Sequence, residues 1–294
     1  MAQQLEFGGQ WTQRKLDALS KYLRAYTIIF ARNPRARYFK TTYVDAFAGT
    51  GALSPPEIGP LASEIIPDLE QRIAEYRKGS VTRALEVDPP FHNYVFIEND
   101  ADKCTELSTL ARKFPNRSIR IINKDANAAL LEWCENLDTE RERAVVFVDP
   151  FGASVEWSAI AALGQTHAVD LWLLFPYSAV NRMLVRDRKP SRAWANRLTK
   201  LLGTEEWEHD FYSSRSYQSL LDPTQNIDEV YKSADYGKIS AFFGQRLRTE
   251  FVEVAQPLAL LNSTGSLLFL LYFAAGNDVS AKTGLKIAND IIGN

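Results

Sequence analysis

The sequence predicts an α/β protein whose mostly parallel β-sheet is covered by helices on both faces. From Tyr94 to Phe175, short apolar runs alternate with longer segments in which apolar residues recur every three or four positions. The runs contain almost no polar residues, as expected for parallel strands that are buried on both faces. Near the C-terminus, two apolar runs joined by Asn262–Ser266 predict an antiparallel hairpin that ends the sheet.

Size and composition fit one large domain, alone or with an insertion. The chain has 294 residues, of which 46% are hydrophobic, and 34 basic residues against 36 acidic ones. This near balance neither favours nor excludes nucleic acid as a partner, so any such surface has to be local. No signal peptide is expected at the first residues, and no membrane span is expected, because the apolar run Leu267–Ala275 is shorter than the roughly 20 residues that a span requires. We therefore expect a soluble, cytoplasmic protein.

The two cysteines, Cys104 and Cys134, stand in no spacing that is typical of a metal site or a disulfide framework. Both fall on the apolar side of a predicted helix, where free thiols are commonly buried. We expect them to be core thiols, and we expect no metal site.

The first predicted element is an amphipathic helix over residues 11–30, with Thr12 as its cap and Asn33-Pro34 as its stop. Its basic residues, Lys15 among them, are expected to form a solvated face. A buried strand, Tyr38–Val44, follows and leads into a glycine loop.

The chain then makes a long detour before a regular alternation begins. A proline-rich loop comes first, then a helix at Leu61–Lys78 and a loop or helix start at Gly79–Pro90. The alternating strands are predicted at Tyr94–Ile97, Ile119–Ile122, Ala144–Val148 and Val169–Phe175, and the helices at Ala101–Phe114, Asn127–Leu137 and Val155–Leu163.

Residues 178–250 interrupt this alternation. They are polar and rich in aromatic residues, and we predict a mainly helical insertion that ends in a helix at 229–249. Two strands then complete the predicted sheet, at Phe251–Leu261 and Leu267–Ala275. A helix at Ala281–Ile292 is the last predicted element. The predicted domains are therefore residues 1–177 with 251–294, and an insertion that serves as a lid for a substrate or a partner.

An acidic residue stands at the end of each of the first four strands: Asp45, Glu98, Asp125 and Asp149. Right-handed crossovers place the carboxyl ends of parallel strands along one edge, where ligands bind at the switch in strand order. Four such acids are hard to explain by packing, so we expect a ligand-bearing edge.

The glycine loop indicates which ligand that is. Glycines after a parallel strand let backbone amides approach a ligand closely, but the preceding Asp45 would repel a phosphate. An acid suits an amine, a sulfonium or ribose hydroxyls. The third glycine of the dinucleotide fingerprint is missing after Gly49 and Gly51, and no Gly-Lys-Ser/Thr sequence marks a P-loop. The pattern favours S-adenosylmethionine (SAM).

The stretch Asp45-Ala-Phe-Ala-Gly-Thr-Gly51 resembles the first motif of class I SAM-dependent methyltransferases. The resemblance implies a Rossmann-like, seven-stranded sheet with a terminal antiparallel hairpin. It also implies that Glu98 holds the ribose hydroxyls and that Asp125 lies near the adenine amino group. The cofactor-binding residues it implies are Asp45, Ala46, Phe47, Gly49, Gly51, Glu98, Asn99, Asp125 and Ala126.

A closer resemblance rests on Trp11-Thr-Gln-Arg-Lys15-Leu, Tyr43–Gly51, and Leu271-Tyr-Phe-Ala-Ala with Gly284-Leu-Lys-Ile. Together they resemble the three-Cys-motif partner proteins, which are bacterial and phage proteins encoded beside a separate protein with three clustered cysteines. This implies a three-Cys-motif protein as partner, and it keeps open a non-catalytic SAM-fold module that regulates that partner.

Asp149-Pro150-Phe151-Gly152 is similar to the Asp/Asn-Pro-Pro-Tyr/Phe motif of methyltransferases that act on amino groups of nucleic-acid bases. In that motif the acid and a backbone carbonyl accept hydrogen bonds from the target amine, and the aromatic ring stacks on a flipped base. Here the second proline is absent and the aromatic residue comes one place early. Asp149, Pro150 and Phe151 are the predicted catalytic residues. The alternatives are that Asp149 only caps a loop and that Phe151 only packs against the sheet edge.

A basic segment, residues 182–200, contains seven Lys or Arg residues and one opposing acid, Asp187. This composition fits a surface that faces nucleic acid, although a solvated helix face is the alternative. The predicted substrate-binding residues are Tyr177, Arg186, Lys189, Arg192 and Trp194. The function predicted from all these features is SAM-dependent methylation of an amino group of a nucleic-acid base. Methylation of a protein or a small molecule remains open.

Overall fold

The computed structural model describes residues 10–51, 79–150, 152–218 and 226–293. The predicted proline-rich loop, the predicted helix Leu61–Lys78 and the side chain of Phe151 lie outside the described residues. The helices within them are α1 (Gln10–Arg32), α2 (Ser80–Leu85), α3 (Ala101–Ala111), α4 (Ala126–Glu135), α5 (Trp157–Gln165), α6 (Tyr177–Met183), α7 (Arg192–Leu202), α8 (Trp207–Phe211), α9 (Tyr236–Glu250) and α10 (Ala281–Ile292).

The described strands form one large sheet and one small ribbon. They are β1 (Lys40–Asp45), β2 (Asn93–Glu98), β3 (Ile119–Asn123), β4 (Glu142–Val148), β5 (Val169–Phe175), β6 (Tyr212–Gln218), β7 (Asn226–Lys232), β8 (Glu253–Val254), β9 (Leu258–Leu261) and β10 (Leu267–Ala275). The large sheet has the order β3-β2-β1-β4-β5-β10-β8, and β9 pairs with β10 beside β8. The first five strands are parallel and β10 is antiparallel to β5. The predicted fold class, a Rossmann-like and mostly parallel sheet with a terminal antiparallel hairpin, is confirmed.

Each face of the large sheet is covered by its own set of helices. Because successive side chains of a strand point to opposite faces, Tyr43 belongs to the apolar cluster that includes residues of α1, α2 and α10, whereas Val44 belongs to the cluster that includes residues of α4, α5 and α9. β1 lies at the centre, with Val44 opposite Val95 of β2 and Val146 of β4. The chain reverses its strand order at β1 and β4, and this switch point opens a cleft at their carboxyl ends.

The predicted strand Phe251–Leu261 is in fact two strands, β8 and β9. Both pair with β10, but the chain leaves the ladder between them. Pro257 precedes β9 and has no amide hydrogen to donate, which accounts for a break at this point. The predicted hairpin turn is present, with Gly265 at φ +80° and the Asn262 side chain accepting from the Ser266 amide.

The insertion contains an antiparallel ribbon, β6–β7, that the helical prediction missed. The predicted helix at 229–249 begins only at Tyr236, where Asp235 caps α9 by accepting from the Lys238 amide at 2.8 Å. Residues 226–232 pair instead with residues 212–218. At the other end of the chain, Thr12 lies inside α1 rather than at its cap, because the helix already includes Gln10.

Both cysteines are half-buried rather than fully buried. Burial raises the pKa of the Cys134 thiol to about 12, as expected for a thiol packed against an apolar core. No helix among the described residues is long and apolar enough to cross a membrane.

A buried carboxyl at Asp170 predicts a pH-dependent stability. Burial raises its pKa to about 6, although the Tyr22 hydroxyl donates to it at 2.6 Å and Arg143 also favours the charged form. The folded state therefore holds a proton that the unfolded state releases near pH 4, so the free energy of unfolding falls as pH rises from about 4 to about 6.

Asp170→Asn is expected to remove the part of this fall that Asp170 contributes. Relative to wild type, the free energy of unfolding of the variant should increase by up to about 3 kcal/mol between pH 4 and pH 6, which corresponds to a shift of two pKa units. Above pH 6 the difference should stay constant. Urea unfolding at several pH values measures this, with the exposed Asp278→Asn as control. A pH-independent difference between Asp170→Asn and wild type would contradict the expectation.

Candidate functional site

A cleft of about 720 Å³ lies at the carboxyl ends of β1, β2 and β4. The structure brings together in it most of the residues that the sequence singled out. Its lining includes Ala46, Phe47, Gly49, Glu98, Asn99, Asp125, Ala126, Asp149 and Pro150. Its size falls within the range of small-molecule sites in proteins.

The glycine loop has the backbone shape that the sequence predicts. Gly49 has φ +60° and Gly51 has φ +75°. Residues with a Cβ rarely adopt this left-handed backbone conformation. A Cβ on Gly51 would lie 2.6 Å from Leu110 Cδ2, so this buried glycine also serves close packing and does not line the cleft. A Cβ on Gly49 would meet no atom within 4 Å, which leaves the space beside its backbone open.

Glu98 is held rigidly at the cleft wall. Its side chain accepts from the Gly49 amide at 2.9 Å through Oε2 and from the Asp100 amide at 3.0 Å through Oε1. The residue is only 8% exposed, yet it lines the cleft. Each carboxylate oxygen can accept a further hydrogen bond, so Glu98 presents a preorganised acceptor pair to a ligand.

Asp125 lies on the same wall and caps α4. Its Oδ1 accepts from the Ala128 amide at 3.1 Å. Asn123 donates from its side-chain amide to the Glu98 carbonyl at 2.9 Å and so ties the ends of β2 and β3 together. Glu98 and Asp125 are therefore fixed relative to each other by backbone structure.

Asp45 occupies a different place from the one predicted. Its side chain is fully buried and does not line the cleft. It accepts from the Tyr43 hydroxyl at 3.2 Å and from the Phe47 amide at 3.4 Å, under the glycine loop. Burial raises the pKa of Asp45 to about 6. In the structure Asp45 supports the loop rather than facing a ligand, so the predicted direct contact with a cofactor is corrected.

Asp149 is ion-paired with Lys15, 134 residues away in the chain. The Lys15 side chain is 7% exposed and that of Asp149 is 27% exposed. The ammonium lies 5.2 Å from the centre of the Trp11 ring and 5.9 Å from that of Phe147, so it is enclosed by aromatic faces as well. Lys15 was expected to face solvent, and that expectation is wrong. α1 brings its first turns over the carboxyl edge of the sheet.

Several cleft residues were missed from the sequence. Trp11 and Lys15 come from α1, Phe269 from β10 and Ser154 from the loop after β4. The Trp11 and Phe269 rings pack against each other in a tilted arrangement, with 4.8 Å between their centres. The Ser154 hydroxyl is buried without a hydrogen-bond partner among the described residues. The local sequence carries no signal for any of these contacts, because each depends on the packing of elements that are far apart in the chain.

The predicted substrate residues lie outside the cleft lining. Tyr177 packs against Tyr236 at 5.8 Å, Lys189 pairs with Glu208 at 2.8 Å, and Arg186, Arg192 and Trp194 are exposed. Of the seven basic residues of the segment 182–200, only Arg197 lines the cleft. No group of three or more His, Cys, Asp or Glu side chains in the described residues could hold a metal ion.

This chain matches known proteins in structure, but it matches no family model and no curated protein in sequence. Among solved structures, the chain is similar to a protein from Legionella pneumophila (14% identity, 82% of this chain, 91% of that chain, TM-score 0.44). It is also similar to an S-adenosylmethionine-dependent methyltransferase from Clostridium acetobutylicum (9% identity, 89% and 92%, TM-score 0.37). A third is Trm1 from Pyrococcus horikoshii in complex with S-adenosyl-L-methionine (12% identity, 96% and 71%, TM-score 0.31). These TM-scores are low, so the fold assignment rests on the strand order of this chain itself.

Proposed function

We propose that this chain is a SAM-dependent methyltransferase that acts on an amino group of a nucleic-acid base. The observation that carries the proposal is the single cleft in which Glu98, fixed by the glycine loop, and the Asp149-Pro150 motif share one space. One part of this cleft suits a nucleoside with ribose hydroxyls, and the other suits a hydrogen-bond donor such as an amine.

The residues present fit SAM as cofactor. Glu98 has free acceptor capacity for two ribose hydroxyls, and Asp125 stands next to it for an amino group. The open space beside Gly49 admits a ligand close to the backbone. The unpartnered Ser154 hydroxyl at the cleft would gain a partner from a bound polar group, since buried polar groups are rarely left unpaired.

When bound, SAM supplies a methyl group that its sulfonium already activates, so the chain has to provide position and electrostatics. The Asp149 carboxylate and the Pro150 carbonyl accept hydrogen bonds from the target amine and turn its lone pair toward the methyl group. Lys15 holds the carboxylate in place. Trp11, Phe269 and the first turns of α1 shield the site from water on one side.

Nucleic acid is the substrate class that the cleft rim and the insertion support best. Arg197 reaches the cleft, and Arg186 and Arg192 are exposed without an acidic partner among the described residues. From the resemblance of the motifs we further propose a bacterial protein of the cytoplasm that acts together with a three-Cys-motif partner.

The test combines binding with transfer. Calorimetry should show SAM binding to wild type, and incubation with tritiated SAM and total nucleic acid should label the nucleic acid. Asp149→Ala is expected to lower labelling about 100-fold or more, whereas Asp278→Ala, an exposed acid outside the cleft lining, should not change it. If the folded wild-type protein does not bind SAM, the proposed function is wrong.

A second candidate is a non-catalytic SAM-fold module, and the Lys15–Asp149 ion pair is the observation that favours it. An ammonium already occupies the carboxylate that a target amine would need. SAM binding to wild type without transfer to nucleic acid, protein or small-molecule amines would select this candidate over the enzyme.

A further inference from the structure

The charge of the chain is unevenly distributed along its sequence. The whole chain has 34 basic and 36 acidic residues, but residues 18–44 contain six basic residues and no acidic one. All six are exposed, namely Lys21, Arg24, Arg32, Arg35, Arg37 and Lys40. A run of exposed cations without acids produces a local positive potential that the net charge of −2 conceals.

α1 gathers four exposed cations on one of its faces. Lys21 follows Arg14 by 7 positions and Arg32 follows Lys21 by 11, and both separations are close to whole turns of a helix with about 3.6 residues per turn. Arg24 lies one turn after Lys21. The opposite face of α1 is buried in the core, for example at Leu23. The four cations therefore form a solvent-facing row, here called the α1 basic stripe.

Within the described residues no acid neutralises the α1 basic stripe. Asp17 is the one acidic residue of α1, and its carboxylate is ion-paired with the Arg83 guanidinium of α2 at 2.6 Å. None of the four cations of the stripe forms an ion pair with a carboxylate in that part of the chain. The charge of the stripe is therefore available to an external anion.

The α1 basic stripe begins beside the cleft. Trp11 and Lys15 of the same helix line the cleft, and Arg14 is the exposed neighbour of Lys15. From Arg14 to Arg32 the helix rises about 27 Å, at about 1.5 Å per residue. This is the length of about eight nucleotides of a strand, at about 3.4 Å each. A strand that lies along the stripe would therefore reach the rim of the cleft that contains Asp149.

We propose that the α1 basic stripe binds the sugar–phosphate backbone of a nucleic acid and leads it to the cleft. Its cations contact phosphates outside the cleft, while the base to be methylated occupies the space beside Asp149. Such contacts give affinity without sequence preference, because they are made to charge and not to base edges. Continuity with the cleft favours nucleic acid over an acidic protein. The proposal rests on the proposed function, because it adds a second binding surface for the same substrate.

The experiment measures the affinity for a fluorescein-labelled 20-base-pair DNA duplex by fluorescence anisotropy at several salt concentrations, without SAM. The double variant Lys21→Gln/Arg24→Gln is expected to lower the slope of log affinity against log salt concentration by about 1.8, since each lost phosphate contact contributes about 0.9. Both residues are exposed, so urea unfolding should give a midpoint close to that of wild type.

The matched control is Arg112→Gln/Lys113→Gln, which removes two exposed cations that follow α3. The control changes the net charge by the same amount, so only the loss of contacts made by the stripe distinguishes the two double variants. The control should keep the slope of wild type. An unchanged slope in Lys21→Gln/Arg24→Gln, or an equal fall in the control, would overturn the proposal.

Two further outcomes would also contradict the proposal. One is that folded wild type does not bind the duplex at low salt. The other is that polyglutamate displaces the labelled duplex as effectively as unlabelled duplex does, which would identify an acidic protein as the partner. Because binding is measured without SAM, a protein that binds the duplex through the stripe but transfers no methyl group would refute the proposed enzyme and leave this surface in place.

Discussion

Lys15→Met is expected to lower the turnover number of methyl transfer about 100-fold while SAM affinity stays within about threefold of wild type. Methionine has nearly the length of lysine and keeps the packing against Trp11 and Phe147, so the helix should stay in place. The Asp149 carboxylate then loses its ion-pair partner and turns toward water, since a quarter of its side chain is already exposed. The target amine is no longer held in line with the methyl group.

The measurement is a single-turnover rate with tritiated SAM and total nucleic acid, together with calorimetry for SAM. Lys21→Met is the matched control, because Lys21 is an exposed lysine on the same helix. Asp149→Asn and the double variant Lys15→Met/Asp149→Asn complete a double-mutant cycle. If Lys15 acts through Asp149, the double variant should be no slower than Asp149→Asn alone. A Lys15→Met rate close to that of wild type would show that the ion pair only holds α1 on the sheet.

The parts of the site that follow from strand order could be predicted from the sequence. Glu98 stands directly after an apolar run, and Asp125 follows the next run after two intervening residues. Parallel strands joined by right-handed crossovers put such residues on one edge of the sheet. The fold was predictable for the same reason, since strands buried on both faces leave an apolar run that is hard to mistake. The break at Pro257 shows what an apolar run cannot predict. The run indicates a strand, but it does not show where the hydrogen bonding of that strand to its neighbour is interrupted.

The parts that depend on packing could not be predicted. Lys15 lies on a helix whose apolar spacing assigns it to the polar side, and nothing local indicates that the first turns of α1 extend over the cleft. Asp45 has the sequence position of a ligand-binding acid, but its burial is set by Tyr43 and the loop above it. The ribbon was missed because only its root is buried, so Tyr212–Gln218 shows little alternation between apolar and polar residues.

Glu98→Gln is expected to weaken SAM binding about tenfold to 100-fold. A carboxylate can accept from both ribose hydroxyls, and hydrogen bonds to a charged group contribute about 1.5–3 kcal/mol. Glutamine keeps the shape but has one acceptor oxygen, and its amide group would face either the Gly49 amide or the Asp100 amide as donor against donor. Calorimetry measures the change, and Glu106→Gln, an exposed acid on α3, is the control.

Because Glu98 also holds the amides of Gly49 and Asp100, the loss of affinity has to be separated from a disturbed loop. S-adenosylhomocysteine and its analogue without the two ribose hydroxyls make that separation. If Glu98 binds the hydroxyls directly, wild type should prefer the full ligand strongly and Glu98→Gln should prefer it much less, so the two losses are not additive. Additive losses would assign Glu98 to loop support alone and would move the ribose to another part of the cleft.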